Sequence, residues 1–423
     1  MQAHLKTGLA ALFLALASYS AAEAAAPLFT TLLQFNGGAD GGDPRGPVAI
    51  GSGGVLYGTT TGGGDPSCGC GTVFSLTPPA SPGGSWMETI LHEFTQGTSD
   101  GYAPNAGLVI GSGGVLYGTT AGGGTSNDGT VFSLTPPVVS GGPWVETVLY
   151  SFMGGTDGAT PLAPVVIGSS GVLYGTTAYG GAYGSGTVFS LKPPKSTGGS
   201  WTETVLYNFQ SGSDGATPWA GLVIGPRGGL YGTTSAGGTS NYGTVFSLTP
   251  PAAAGGRWVE IVLHSFAGGA TDGASPADGE GVVIGNGGVL YGTTAYGGAS
   301  NQGALYSLTP PAASGGAWSA AVLYSFNALS TSGWMPQGQL TLSRTGALYG
   351  TTSGGGKLVV SSGTIFQLAP PSSAGGPWRY TVLHGFPHGA GNPQAGVVIG
   401  PGGVLYGTTT GSGASGSVFS LVP

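Results

Sequence analysis

Charge is scarce in this chain of 423 residues: 9 Lys and Arg and 16 Asp and Glu make 6% charged residues, against about 25% in an average domain. There is no Lys/Arg run and the net charge is -7, which removes the electrostatic footprint that nucleic-acid binding requires and argues equally against anionic lipid surfaces. Cysteine is limited to Cys68 and Cys70. In an exported chain such a pair either closes a local disulfide or stays reduced. With no His close by in sequence it falls short of the roughly four ligands of a tetrahedral metal site, so no metal and no cofactor are expected. Long apolar runs are missing beyond the leading residues. There, Lys6 precedes an apolar stretch from Leu9 to Ala17 and small residues ending in Ala24-Ala25-Ala26. That stretch is about half of the roughly 20 residues that span a bilayer, and residues 1–26 read as a secretory signal peptide. The expectation is a soluble, secreted or periplasmic protein without membrane insertion.

What the chain has in abundance is glycine, 89 residues, and 40% hydrophobic residues in strict periodic positions. The periodicity argues against disorder. Leu56-Tyr57-Gly58-Thr59-Thr60 recurs as 116–120, 173–177, 230–234, 290–294, 348–352 and 405–409, seven copies spaced by 57 to 60 residues. A period of that size means a ring or array of small sheets.

One unit contains four strand-like runs. Gly221–Gly225 and Leu230–Thr234 flank a tight turn and read as a hairpin. Gly243–Leu248 is rich in β-branched and aromatic residues, Pro250-Pro251 stops it, and Trp258–Phe266 follows as a fourth run. Gly in the middle of Leu-Tyr-Gly-Thr-Thr implies close approach of another group, for which the adjacent unit is the natural candidate. Four short antiparallel strands per repeat predict an all-β, seven-bladed β-propeller.

The termini separate a closed ring from an open stack. The seventh repeat offers Gly396–Gly400, Val404–Thr409 and Ser417–Leu421 and then no fourth run, whereas Leu28–Phe35 matches the fourth-run pattern and precedes the first repeat. Pairing the two ends satisfies both loose edges. The predicted blades are 46–94, 106–152, 163–209, 220–266, 280–326, 338–386 and 395–423, the last completed by 28–35.

The pattern Leu-Tyr-Gly-Thr-Thr, two or three Gly, a variable loop, then Gly-Thr-Val-Phe-Ser-Leu resembles the GloVer tandem-repeat family of exported bacterial proteins, over essentially the whole mature chain. The resemblance implies export and the repeat fold. It supplies no catalytic residues. Members carry varied C-terminal surface anchors, and nothing hydrophobic or basic follows Pro423 here.

Candidate sites lie in two loops expected on one face: the loop between the second and third strands, and the connection between blades. That connection repeats an Asp-Gly with Pro four residues after the Asp, at Asp40, Asp100, Asp157, Asp214 and Asp272, with Ser332 and Asn392 near the later positions. A feature present once per blade answers a folding need, here an Asx-type turn. Catalysis breaks symmetry, since a hydrolase needs two unlike carboxylates. Asp65, Asp128, Asp278 and Glu280 do so, and Asp278 with Glu280 form the best pair. Glu88, Glu146, Glu203 and Glu260, each two residues after the strand-opening Trp, read as an exposed outer face. Gly97–Gly101 fits a nucleophile elbow around Ser99 only by letter, since the strand-to-helix context is missing.

Aromatics give the better lead. Tyr179, Tyr183, Trp219, Tyr242, Tyr296 and Trp334 fall on the variable loops of blades three to six, where other repeats have Ala, Ser or Gly. Exposed aromatic clusters mark binding, and flat rings beside Asn, Ser and Thr suit sugars; the competing role is local packing. The sequence thus points to a monomeric, non-enzymatic binding module for a glycan or polysaccharide. A polysaccharide-active hydrolase or lyase and a structural protein that binds another surface protein are the alternatives.

Overall fold

The structure, a computed structural model, describes residues 26–423 apart from 82, 140, 197, 254, 277–280, 314, 329–330, 357–361, 374, 390 and 412–414. The expected leader falls almost wholly outside these residues, as do Asp278 and Glu280.

Blade four shows the unit. Val223–Ile224, Leu230–Thr234, Thr244–Thr249 and Val259–Ser265 pair in sequential order, all antiparallel. The first two are joined by a tight turn, Pro226–Gly228, with Arg227 at φ 58°. Glycine, which adopts that left-handed conformation without steric cost, takes the slot in blade one as Gly53, at φ 69°. The third strand is buried along almost its whole length. The outer strand alternates, as a sheet edge half open to water does. One register shift, at Val245/Phe246, bends the outer strand against the third.

Seven such sheets close a ring, because Leu28–Gln34 pairs antiparallel with Ser417–Val422 and completes the sheet of Val398–Ile399 and Leu405–Thr409. The seams between blades hold the core. At each one, the Phe that ends an outer strand meets the aromatic ring of the next blade's third strand: Phe94 with Phe132 at 5.2 Å, Phe152 with Phe189 and Phe209 with Phe246 at 5.1 Å. The closing strand follows the rule, with Phe35 5.2 Å from Phe74 of blade one. Such rings bury up to about 250 Å² each and add edge-to-face attraction to their burial.

The repeated pentapeptide divides its work by position. Leu56 is fully buried, and Tyr57 lies edge-on to Trp144 of the next blade, 5.9 Å away. Thr59 donates its hydroxyl to the Ala106 carbonyl of the next blade at 2.8 Å. Thr60 pairs with the Thr72 hydroxyl of its own third strand at 2.9 Å. The close approach at Gly58 comes from within the blade and not from its neighbour: a Cβ there would stand 2.5 Å from the tip of Phe74, its cross-strand partner. The glycine makes room for the ring that fills the seam.

Candidate functional site

The two variable loops share a face, because each connection between blades pairs with the second-to-third-strand loop beside it. The contacts include Gly42 with Gly62, Gly101 with Gly123, Ala159 with Tyr179, Ala216 with Ala236, Ala274 with Tyr296, and Trp334 with Gly354. Where one side carries a large ring, the other presents a small residue. Trp334 is half-buried over Gly354 and Gly355, where a Cβ would stand 2.5 Å and 2.7 Å from the indole. Tyr102, which sequence reasoning passed over, covers Gly122 in the same way; the Gly opposite was the available signal.

Of the six expected aromatics, Tyr179, Tyr183, Tyr242 and Tyr296 are 45 to 60% exposed, and they are the only exposed aromatic residues among those described. Trp219 is half-buried, with its indole N–H enclosed and unpaired. Tyr242 lies near Gly268 of the connection leaving its blade. Tyr183 borders a groove of about 500 Å³ between blades three and four, together with Tyr207, Asn208, Gln210, Arg257 and Trp258.

The repeated aspartates make turns. Asp157 accepts the Met153 backbone N–H at 2.8 Å and Asp272 that of Ala267 at 2.8 Å, the local capture expected of an Asx-type bend. Four of them, Asp100, Asp157, Asp214 and Asp272, also grip the outer strand before them: Tyr150 donates its hydroxyl to Asp157 at 2.7 Å and Tyr207 to Asp214 at 2.9 Å. In blades one and four histidine takes that slot, His92 3.4 Å from Asp100 and His264 3.1 Å from Asp272. Burial raises the Asp100 and Asp272 carboxyls, but bonds from these histidines and from backbone N–H groups outweigh it and hold both below the usual carboxylate range. Asp65 accepts a backbone bond from Ser67 within its own loop.

Glu88, Glu146, Glu203 and Glu260 are not an exposed face. They are half-buried at the seams, each with one carboxylate oxygen enclosed and without a hydrogen-bond partner. Loss of hydration, aided by the nearby aspartates, pushes each from 4.5 up to about 7. The period-two pattern put them on the outward side of a strand; it could not show that the preceding blade's outer strand and the connection leaving it lie over that side. At the later seams rings replace the glutamate, with Tyr324 stacked on Tyr380 and His384 on Phe29, both at 4.0 Å.

Down the axis, the inner strands of six blades line a channel of about 400 Å³ with Val48, Leu108, Val165, Leu222 and Val397 on its wall; Gln339 and Thr341 bring its polar side chains. Among the described residues no group of three His, Cys, Asp or Glu converges. No helix among them is long and apolar enough to cross a membrane. Cys68 and Cys70 are joined as a disulfide in the first blade's loop.

The molecule is a seven-bladed β-propeller with its variable loops on one face. The chain belongs to the Gloeobacter/Verrucomicrobia repeat family, whose pattern matches residues 19–222 and 166–420. No curated protein matches the sequence. Among solved structures it is similar to an ulvan lyase of a polysaccharide lyase family, at TM-score 0.53 and 10% identity over 92% of this chain and 94% of that one. It is also similar to the extracellular domain of a one-component system protein from B. thetaiotaomicron, at TM-score 0.54 and 12% identity, over 93% of this chain and 41% of that one. A protein from Bacteroides uniformis that bears the name 6-phosphogluconolactonase gives TM-score 0.50 and 17% identity over 85% and 88%. At such identities the likeness shows a common fold alone.

Proposed function

We propose that this is an exported, monomeric binding module that holds a glycan or polysaccharide on its loop face and does not transform it. One observation carries this reading: the four exposed aromatic residues among those described, Tyr179, Tyr183, Tyr242 and Tyr296, are the ones the repeat does not demand. Every other described Phe, Tyr and Trp ring packs at least half-buried into the scaffold. A tyrosine left in water where sister blades make do with a smaller or non-aromatic residue offers a flat apolar surface with a polar edge, which matches the face and hydroxyl rim of a sugar. The groove beside Tyr183 adds Asn208, Gln210 and Arg257, side chains that hydrogen-bond hydroxyl groups. At the level of fold, a propeller is a workable platform for such a ligand, since one solved neighbour, at TM-score 0.51, is a polysaccharide lyase bound to -[GlcA(1-4)Rha3S]-.

The test is retention on a panel of neutral and acidic polysaccharides, with the soluble fraction assayed for released oligosaccharide. Retention that weakens by about tenfold in Tyr183→Ala, the loss of roughly one stacking contact, with no product formed, supports the module. Product whose formation stops in Asp278→Asn or Glu280→Gln gives the assignment to a polysaccharide-active enzyme. Failure of every glycan to bind withdraws the reading in favour of a protein partner.

A further inference from the structure

The seam between blades four and five departs from its sisters at two positions. Where Glu88, Glu146, Glu203 and Glu260 occupy the outer strands of blades one to four, blade five has Ala320, which is exposed; where most third strands place Phe, blade five places Tyr306. The shorter side chain leaves a pocket of about 280 Å³ lined by His264, Phe266, Thr271, Asp272, Tyr306 and Ala320.

The seam between blades one and two shows the same arrangement filled. There Glu146 lies in the field of the His92–Asp100 pair, with His92 Nε2 3.4 Å from Asp100 Oδ1. In the later seam His264 Nε2 stands 3.1 Å from both oxygens of Asp272, and the two side chains remain 20% and 19% exposed, so a solute can reach them. Tyr306, 3% exposed, borders the pocket, with its hydroxyl turned to Gly292 of the second strand.

We propose that this pocket binds a small carboxyl-bearing molecule, whose carboxyl takes the place that Glu146 fills in the sister seam, beside the histidine–aspartate pair, while its short stem lies over Ala320. The size and the polarity agree. Ala320 keeps the first carbon of the glutamate arm, so the missing part is one methylene and a carboxyl, the dimensions of acetate, which propionate exceeds by one carbon. In that place the carboxyl lies beside a histidine whose Nε2 is already held by Asp272. The same chemistry is met by a free short-chain acid or by the carboxyl of a uronic sugar. The proposal does not rest on glycan binding at the loop face, and either can fail alone.

Propionate and glucuronate are each titrated into the whole protein and followed by amide chemical shifts. The expected result is one saturable, roughly millimolar site, with shifts at Ala320 and its neighbours. Ala320→Glu, which restores the sister seam's side chain, and Ala320→Leu, which fills the space with apolar bulk, each weaken binding about tenfold or more, with melting curves confirming that both fold. Tighter binding of propionate assigns the site to free short acids, and tighter binding of glucuronate to acidic sugars. No saturation with either acid, or affinity unchanged in both variants, overturns the proposal.

Discussion

The seams and the loop face are built on opposite principles. At the seams the same contact returns seven times: a terminal Phe against a third-strand ring, with Phe35 closing the set on Phe74. On the loop face the repeated backbone pairing survives but the side chains on it differ, from Gly42 opposite Gly62 to Ala274 opposite Tyr296. The difference teaches where to look for function. What recurs once per blade satisfies the ring, and what appears in a few blades has been left free by it.

The strongest way to break this comparison is to open the ring. Removing residues 28–35 strips a seven-residue strand from the last blade and the Phe35 contact with blade one. Thermal unfolding is expected about 10 °C or more lower, with binding of a dye for exposed apolar surface. An unchanged melt would mean that the strand pairing at residues 417–422 is not what holds the blades together.

A smaller effect comes from contrasting single rings. Phe246→Ala, at a fully buried seam position, should cost about 3–5 kcal/mol in denaturant unfolding. Tyr242→Ala, four residues away and 45% exposed, should stay within about 0.5 kcal/mol of the parent. Equal losses would erase the distinction between scaffold and face.

The smallest expected effect is on pH. Glu88, Glu146, Glu203 and Glu260 are raised from 4.5 to about 7. The folded chain therefore holds protons that the unfolded chain gives up, and their contribution is complete below about pH 4.5 and fades as pH rises through 7. Asp100 and Asp272 are lowered, so theirs is present above the ordinary carboxylate value of 3.8 and is lost as pH falls. Stability should peak near pH 5, and the melting temperature there should exceed that at pH 8 by a few degrees. Because the glutamates are only half enclosed, solvent screening keeps the effect modest. The quadruple Glu→Gln variant should flatten the curve above pH 5; a slope that persists there would remove the seam glutamates as its cause.

Much of the scaffold was legible because repetition supplies its own control. Seven copies of Leu-Tyr-Gly-Thr-Thr fixed the blade count, and a spare strand pattern at Leu28–Phe35 matched a vacancy after Leu421. What the repeat could not show was depth. The glutamates sit at positions that alternate outward along a single strand, and only the preceding blade encloses them. The glycine of the pentapeptide signalled a close approach, but a one-dimensional pattern does not say which ring arrives, and Phe74 of the same blade does. For the face, exposure of Tyr179, Tyr183, Tyr242 and Tyr296 was readable from their absence in sister repeats. The enclosure of Trp219 and Trp334 was not: Trp334 lies over Gly354 and Gly355 of the adjoining loop, a pairing that spacing along the chain does not show.

The most direct measurement places scaffold and face in one assay: affinity electrophoresis in polysaccharide gels of Phe246→Ala and of the double variant Tyr179→Ala/Tyr296→Ala, each checked for its folded fraction. The account predicts that folded Phe246→Ala is retarded like the parent although it unfolds more easily, while the double variant keeps its stability and loses retardation. Retardation that follows stability in both variants, or that survives removal of both tyrosines, would contradict it.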